Sequence, residues 1–227
     1  MSAIYDWSVL ALRNVYDRRI QGQPVLDSAA LFPDAERFTA QWRQIREEAL
    51  TVAHDLHNIP RFHEIMSQQA SISANDARLA HVHHEGLWPA HPRNLARCPT
   101  LAALIASSPD VLSASLSFLA PGKQVPPHRG PFRGILRGYL VLDMPKRADG
   151  APAAVLKVDG REYRLREGEF MLWDDTFEHE VWNDSPQVRT VLLLDIRRRD
   201  MPGGLRLLSS AIIALVRLNV RWMQRQF

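Results

Sequence analysis

The feature that most constrains the fold is a change of pattern at residue 111. From there to residue 196 the chain consists of short runs rich in aliphatic and aromatic residues, among them VLSASLSFL, ILRGYLVLDM, EFMLW and VRTVLLLDI. Turn residues separate these runs, for example Asp159-Gly160, Glu167-Gly168 and the segment 183–186 (NDSP). Short strands interrupted at this rate are typical of an antiparallel barrel or jelly roll.

The first half of the chain carries helical periodicity instead. Apolar residues recur every three or four positions between residues 38 and 56, which predicts one helix of about six turns with Asp34 as its N-cap. A second helix is predicted at residues 100–107. The first 19 residues predict an amphipathic helix, since they lack the basic start and cleavage site of a signal peptide. Residues 57–99 show little periodicity and are expected to be mostly loop.

Helices that precede strands predict an α+β protein in which the sheet carries the working site. We expect residues 1–108 to form a helical N-terminal part of the same domain, packed on a double-stranded β-helix (jelly roll) core at residues 109–199. Residues 200–227 are expected to add a basic amphipathic C-terminal helix. The single cysteine, Cys98, excludes an internal disulfide scaffold, and no CxxC pair is present to form a zinc finger.

Basic charge is concentrated at the C-terminal end. Residues 1–196 contain 21 basic and 24 acidic residues, whereas residues 197–227 contain seven arginines and one aspartate. A nearly neutral body without a basic stripe argues against nucleic-acid binding. We therefore expect no nucleic-acid partner. The lone cysteine fits a reducing compartment and the N-terminus shows no signal peptide, so we expect a cytoplasmic protein.

The predicted helix at residues 205–227 has one apolar face. Its longest uninterrupted apolar stretch is much shorter than the roughly 20 residues that a membrane span requires. Two interpretations stay open. The helix packs on the body with its arginines in water, or it lies peripherally on an anionic membrane. The apolar face comprises Leu207, Leu208, Ala211, Ile212, Leu215, Leu218 and Trp222.

Two of the nine histidines have a context that suits a metal ligand. His128 lies between Pro126-Pro127 and Gly130-Pro131, so its backbone is stiffened before binding. His179 opens a predicted strand after the acidic, aromatic turn WDDTFE. Each of the two, taken alone, is more simply explained as a core histidine. The other histidines are assigned no role: a nonspecific loop cluster at His81, His83, His84 and His91, and His54, His57 and His63 near a helix end.

The spacing between His179 and Arg189 favours a shared site. If the segment 183–186 is the bend of a hairpin centred on Asp184, the two residues face each other with Cβ atoms about 5 Å apart. An arginine buried among apolar residues is costly unless a carboxylate meets it. We therefore expect Arg189 to bind one end of a small dicarboxylate whose other end reaches a metal. The alternative is an internal ion pair with Asp175, Glu178 or Asp195.

Two sequence blocks, SFLAPGKQVPPHRGPFRGILRGYLVL and EFMLWDDTFEHEVWNDSPQVRTVLLLDI, resemble the catalytic jelly roll of the aspartyl/asparaginyl β-hydroxylase family. Members of this family are iron(II)- and 2-oxoglutarate-dependent dioxygenases, and they include lipid A hydroxylases. Weaker patterns around Trp88 and Cys98-Pro99, and the helix FTAQWRQIREEAL, extend the resemblance over residues 26–197. The resemblance implies hydroxylation of an unactivated C–H bond with Fe(II), 2-oxoglutarate as cosubstrate and O2.

By position, the resemblance implies that His128 and His179 are the two iron ligands and the catalytic centre. Gly130 stands where the usual facial triad has its carboxylate. The family shares this omission, with water in place of the acid. Arg133 replaces an asparagine that is common in the family, and the sequence assigns it no partner.

The resemblance also implies a cosubstrate pocket. Arg189 matches the arginine that binds the distal carboxylate of 2-oxoglutarate, Ser117 the serine that assists it, and Arg137 a further pocket arginine. Tyr139 replaces the family's histidine, although a phenol can still donate a hydrogen bond. Ile135 stands where the animal aspartyl hydroxylases have a substrate-binding arginine, which disfavours a peptidyl Asp or Asn. Together with the basic tail and its apolar face, this departure favours a small-molecule or lipid-linked, hydrophobic substrate.

The main alternative is a non-enzymatic jelly-roll module in which Arg189 and Arg137 capture an anionic small molecule and no iron is retained. A cupin-type isomerase or a metal-dependent hydrolase is a more distant alternative, because the jelly roll alone does not determine the chemistry.

Overall fold

Most of the helices precede most of the strands in the computed structural model, which describes residues 2–53, 77–84 and 95–224. The helices in these ranges are α1 (Ser2–Asp17), α2 (Ser28–Leu31), α3 (Ala35–Ala40), α4 (Trp42–Ala53), α5 (Pro99–Ala106) and α6 (Gly203–Gln224). The strands are β1 (Val25–Leu26), β2 (Ala77–His84), β3 (Val111–Leu119), β4 (Gln124–His128), β5 (Ile135–Asp143), β6 (Ala154–Val158), β7 (Arg161–Tyr163), β8 (Phe170–Trp173), β9 (His179–Asn183) and β10 (Arg189–Arg197).

The described strands form two antiparallel sheets. The larger sheet has the order β1-β8-β5-β10-β3-β2, and the smaller sheet has the order β4-β9-β6-β7. Side chains from both sheets meet in one buried cluster, in which Val141 and Val191 of the larger sheet pack with Leu156 and Val158 of the smaller. The predicted α+β class with a jelly-roll core is confirmed.

Helices α3, α4 and α5 cover the outer face of the larger sheet. Because side chains alternate between the two faces of a strand, Leu140 and Leu192 point towards these helices while their neighbours Tyr139 and Val191 point into the barrel. The outer core is completed by fully or almost fully buried residues of the helices, including Phe38, Ile45, Ala49, Val52, Leu101, Leu104 and Ile105.

The prediction of one continuous helix from Asp34 to residue 56 is wrong. The chain forms α3 and α4, separated at Gln41, whose φ of −109° and ψ of 17° leave the helical range. Asp34 makes no capping hydrogen bond, whereas Asp27 caps α2 by accepting two backbone N–H bonds. The three-four apolar spacing continues through the bend, so periodicity alone does not reveal the break. Leu56 lies outside the described residues.

The prediction of mostly loop for residues 57–99 is wrong at β2. This strand pairs antiparallel with β3 at the edge of the larger sheet, with a register shift between His81 and His83. Its sequence, ARLAHVHH, is poor in the β-branched and aromatic residues that mark strands, and pairing with the buried β3 stabilises it instead. His81, His83 and His84 therefore belong to a strand, while His54, His57, His63 and His91 lie outside the described residues.

The hairpin predicted around Asp184 does not form. β9 lies in the smaller sheet between β4 and β6, and β10 lies in the larger sheet between β3 and β5. The side-chain amide of the buried Asn183 donates to three backbone carbonyl oxygens, including that of Gln187 at 2.8 Å, which directs the chain from one sheet to the other. His179 and Arg189 are consequently in different sheets and are not cross-strand neighbours.

The helix predicted for residues 205–227 is observed up to Gln224 as α6, which packs against α1, and residues 225–227 lie outside the described residues. The hydroxyl groups of Tyr16 on α1 and Ser209 on α6 are 2.7 Å apart, and Tyr16 is fully buried. Phe132 packs edge-on against the Tyr16 ring at 5.5 Å between centroids. None of the helices in the described part of the chain combines the length and apolarity that a membrane crossing requires.

Candidate active site

His128 and His179 lie side by side at one end of the smaller sheet. They are direct partners in the register between β4 and β9, and their ring centroids are 4.0 Å apart with the planes inclined by 55°. Because a metal–imidazole bond is about 2 Å long, rings at this separation can both reach one metal ion. The structure thus brings the two sequence-predicted ligands together.

Both imidazoles are oriented by the same local contact. Nδ1 of His128 lies 2.8 Å from the carbonyl oxygen of Pro126, and Nδ1 of His179 lies 2.9 Å from that of Phe177. A carbonyl oxygen only accepts, so each Nδ1 donates and each ring presents the lone pair of Nε2. Burial lowers the pKa of both rings; burial and the adjacent His128 together lower the pKa of His179 to about 3. Neutral imidazoles of fixed tautomer are the form that binds a metal.

A buried carboxylate fills the space beside Gly130. The Gly130 N–H donates to the main-chain oxygen of Asp175 at 2.7 Å, and a Cβ at position 130 would lie only 2.5 Å from Cγ of Asp175. A residue larger than glycine therefore does not fit there unless Asp175 moves. Oδ1 of Asp175 has no hydrogen-bond partner among the described residues, and burial raises the pKa of this carboxyl group against the opposing charge of Arg137.

From sequence, Asp175 is suggested only as an alternative partner for Arg189. The signal that could have identified it is its place four residues before His179, in the turn that brings β9 to the site. Within the described residues no group of three or more histidine, cysteine, aspartate or glutamate side chains is arranged to hold a metal. The two imidazoles are therefore the protein ligands that this part of the chain offers, and Asp175 lies outside direct coordination.

Arg137 is held by two buried carboxylates. Its guanidinium is 3.0 Å from Oδ2 of Asp175 and 2.6 Å from Oδ1 of Asp195. The other oxygen of Asp195, Oδ2, accepts a hydrogen bond from the Ser113 hydroxyl. Burial lowers the pKa of Arg137, but the charges of Asp195 and Asp175 outweigh it and raise the pKa overall. Arg137 therefore borders the histidine pair, where it helps to lower the pKa of both rings.

Arg189 forms a separate cationic site six residues before Asp195 on β10. It is 2% exposed; its Nη1 lies 3.5 Å from Oγ of Ser117, and its Cζ lies 5.8 Å from the centre of the Tyr139 ring. No carboxylate contacts it within the described ranges, its Nε has no hydrogen-bond partner there, and burial lowers its pKa. The predicted alternative of an internal ion pair is wrong, because Asp175 and Asp195 contact Arg137 instead.

An unpaired buried guanidinium is energetically costly, and a bound carboxylate relieves that cost. Arg189, Ser117 and Tyr139 are therefore suited to bind an anion. A further buried donor is the indole N–H of Trp173, which has no partner among the described residues and whose ring packs edge-on against His179 at 4.4 Å. The interior thus combines neutral nitrogen ligands, a cation and unpaired polar atoms, a chemistry that fits a metal together with a small carboxylate.

Arg133, to which the sequence assigned no partner, has a structural role. It is buried, contacts Asp174 at 2.8 Å and Asp17 of α1 at 2.5 Å, and lies over the ring of Phe177. Arg198 contacts the same Asp174 carboxylate at 2.6 Å. This ionic cluster joins the loop after β4 to α1 and to the segment that precedes α6.

Comparison with known proteins gives one family. The sequence model of a family described as aspartyl/asparaginyl beta-hydroxylase matches residues 39–199. An ornithine lipid ester-linked acyl 2-hydroxylase of Rhizobium tropici is 32% identical over 174 residues, covering 77% of this chain and 60% of that protein. The human aspartyl/asparaginyl beta-hydroxylase is 29% identical over 133 residues, covering 52% of this chain and 17% of that protein. This chain therefore spans less than two thirds of the length of these relatives.

Solved structures with a similar arrangement include a prolyl-4-hydroxylase of Pseudomonas putida, with a TM-score of 0.45 and 15% identity, covering 84% of this chain and 99% of that one. Another is a protein of Thermotoga maritima described as a predicted oxalate decarboxylase, with a TM-score of 0.36 and 15% identity, covering 53% and 80%.

Proposed function

Because the chain belongs to the aspartyl/asparaginyl β-hydroxylase family, we propose that it is an iron(II)- and 2-oxoglutarate-dependent dioxygenase that hydroxylates an unactivated C–H bond. The observation that carries this proposal is the pair of neutral imidazoles, His128 and His179, in a barrel that also contains the guanidinium of Arg189, which no carboxylate of the described residues contacts. A metal site and a carboxylate site in one interior are what a metal-bound dicarboxylate cosubstrate requires.

His128 and His179 would hold the ferrous ion through Nε2, and Arg189 with Ser117 would hold the distal carboxylate of 2-oxoglutarate. When bound, iron and 2-oxoglutarate supply the oxidation by O2 that places a hydroxyl group on the substrate and yields succinate and CO2. Tyr139 covers the Arg189 guanidinium with its ring and keeps the anion site dry. The pocket arginine expected at Arg137 belongs to the metal side, where it holds Asp175.

Asp175 and Trp173 provide the remaining polar groups beside the histidines. The free Oδ1 of Asp175 can accept a hydrogen bond from water or another ligand next to the metal, and the small Gly130 leaves the space for this carboxylate. Trp173 packs against the His179 ring and excludes water from that side. Fixed, dry surroundings let these groups act without reorganisation.

We propose a lipid-linked substrate rather than a peptidyl Asp or Asn. The relative from Rhizobium tropici is described as a lipid acyl hydroxylase. Ile135, half-buried at the start of β5, supplies no cation for a substrate carboxylate. A lipid-linked substrate is presented at a bilayer, so the proposed reaction takes place at a membrane surface.

The decisive experiment has two measurements on the full chain. Anaerobic addition of Fe(II) and 2-oxoglutarate is expected to give a metal-to-ligand charge-transfer absorption band. Succinate release is then measured across a panel of acyl lipids, peptides and amino acids, and release is expected with an acyl lipid. Both signals are expected to disappear in His179→Ala and to persist in the matched control Glu178→Ala, which changes an exposed neighbour.

Two results would contradict the proposal. An undiminished succinate release in His179→Ala would remove the metal from the mechanism. Binding of 2-oxoglutarate that depends on Arg189 but gives no absorption band with Fe(II) would favour the non-enzymatic anion-binding module.

A further inference from the structure

α6 contacts the rest of the protein through a narrow stripe. Leu205, Ser209 and Ile213 are spaced by four residues and are buried. Ser209 approaches both Tyr16 and the backbone at Gly134, where a Cβ would lie 2.5 Å from its Oγ. This stripe anchors α6 beside the loop that follows His128.

The opposite side of α6 exposes leucines to solvent. Leu207, Leu215 and Leu218 are 74%, 66% and 62% exposed, and Leu208 is 37% exposed. Since each residue of an α-helix is rotated by about 100° from the last, these four leucines project within an arc of about 100°. We call them the leucine stripe. Apolar residues scattered singly over a surface are normal, whereas a continuous stripe marks an interaction surface.

The leucine stripe is the apolar face that the sequence shows, and it points away from the protein. α6 does pack on the body, as the first of the two interpretations expects, but it does so through Leu205, Ser209 and Ile213 and leaves the leucine stripe exposed. Trp222 continues the leucine stripe by its position on the helix.

Charge along α6 identifies the kind of surface that fits the leucine stripe. The helix contains Arg206, Arg217 and Arg221 and no aspartate or glutamate. All three arginine positions fall along one border of the leucine stripe. Long cationic side chains at the edge of an apolar helix face can extend towards lipid phosphates while the apolar face enters the acyl boundary. Two copies of α6 packed on each other would instead bring six arginines together with no carboxylate from either helix.

We infer that the leucine stripe and its arginine border form the surface that docks this protein onto an anionic lipid bilayer. Docking buries the four leucines at the boundary between headgroups and acyl chains. The buried stripe of Leu205, Ser209 and Ile213, on the opposite side of α6, then holds the loop after His128 within about one helix diameter of the membrane. The docking itself follows from the surface of α6, and only its role in substrate delivery rests on the proposed function.

The test uses cosedimentation of the full chain with vesicles of phosphatidylglycerol and, separately, of phosphatidylcholine. Wild-type protein is expected to bind the anionic vesicles and to bind the zwitterionic vesicles more weakly. The variant Leu207→Ser/Leu215→Ser/Leu218→Ser is expected to lose at least about 100-fold in partitioning, because burying one leucine side chain is worth roughly tenfold or more. Its thermal unfolding is expected to match that of the wild type, since these side chains make no buried contact.

A charge pair with a matched control tests the arginine border. Arg206→Gln/Arg221→Gln is expected to weaken binding to phosphatidylglycerol about tenfold or more, since each basic residue near an anionic surface is worth about 1 kcal/mol. Lys146→Gln/Arg147→Gln removes the same charge from an exposed segment elsewhere and is expected to bind like the wild type. Equal effects of the two pairs would contradict the assigned surface.

Sedimentation velocity separates the membrane from a second copy as the occupant. The inference would be overturned if the wild type forms a dimer that dissociates in the leucine variant and if the wild type does not bind vesicles. Equal binding to vesicles by wild type and leucine variant would overturn it as well. The absorption band with Fe(II) and 2-oxoglutarate needs no membrane, so its loss would reject the proposed function while vesicle binding still supports the docking surface.

Discussion

Substitution of Gly130 tests the geometry of the site most directly. In a facial triad this position carries an acidic ligand, so sequence logic suggests that Gly130→Asp would complete a metal site. The structure predicts the opposite, because even the Cβ of Gly130→Ala would overlap the buried carboxylate of Asp175. To make room, Asp175 must leave its contact with Arg137 at 3.0 Å.

The size of the effect follows from that displacement. Breaking one side of a buried ion pair costs about 3–5 kcal/mol. For a chain of this length, each kcal/mol lowers the Tm by about 2–4 °C. We therefore expect Gly130→Ala to lower the Tm by roughly 6 °C or more, and Gly130→Asp to lower it at least as much and to weaken Fe(II) binding.

A double-mutant cycle isolates the contact. In the Asp175→Ala background the overlapping carboxylate is gone, so the further change Gly130→Ala is expected to cost less than about 1 kcal/mol. Thermal or urea unfolding of the four proteins measures the coupling. An equal cost of Gly130→Ala in both backgrounds, or an unchanged Tm for the single variant, would refute the assigned position of Asp175.

Three further predictions concern other parts of the fold. Arg189→Met is expected to weaken 2-oxoglutarate binding by about tenfold or more, because a charge-assisted hydrogen bond is lost. The same variant is expected to raise the free energy of unfolding by about 1 kcal/mol, because a buried cation without a carboxylate partner is removed. A lower free energy of unfolding would contradict the assignment of Arg189 as unpaired. Fe(II) is expected to raise the Tm of the wild type and not that of His128→Ala. Removal of the metal with a chelator is expected to reverse the rise. Equal shifts of the Tm in both proteins would place the metal elsewhere. Asn183→Ala is expected to destabilise the protein by about 2–3 kcal/mol in urea unfolding, since its amide bonds three carbonyl oxygens at the crossing between sheets; a change below about 0.5 kcal/mol would contradict that role.

The strand content of the core could be predicted because each short run is bounded by turn residues and is long enough to cross the barrel once. The resemblance placed His128 and His179 in one site, and the register of β4 and β9 brings them together. Their tautomer also depends on local sequence, since each Nδ1 donates to the carbonyl oxygen two residues earlier, whereas burial keeps both rings neutral.

The partners of the arginines could not be predicted in the same way. Pairing residues at equal distances before and after Asp184 does not distinguish a hairpin from a segment that crosses between sheets, because both use the same turn residues. Nothing local to Arg137 or Arg189 indicates which of them meets Asp175 and Asp195. Register between β5 and β10 makes that choice by placing Arg137 opposite Asp195.

The sequence by itself therefore determined the fold class, the two candidate histidine ligands and the basic, leucine-rich helix at the C-terminal end. Only the tertiary structure decided that Asp175 fills the space beside Gly130, that Arg189 stays unpaired and that α6 turns its leucines outward. The physical reason is the same in each case. Periodicity along a chain specifies which residues share a face, but which face meets the body is decided by packing between elements that are distant in sequence.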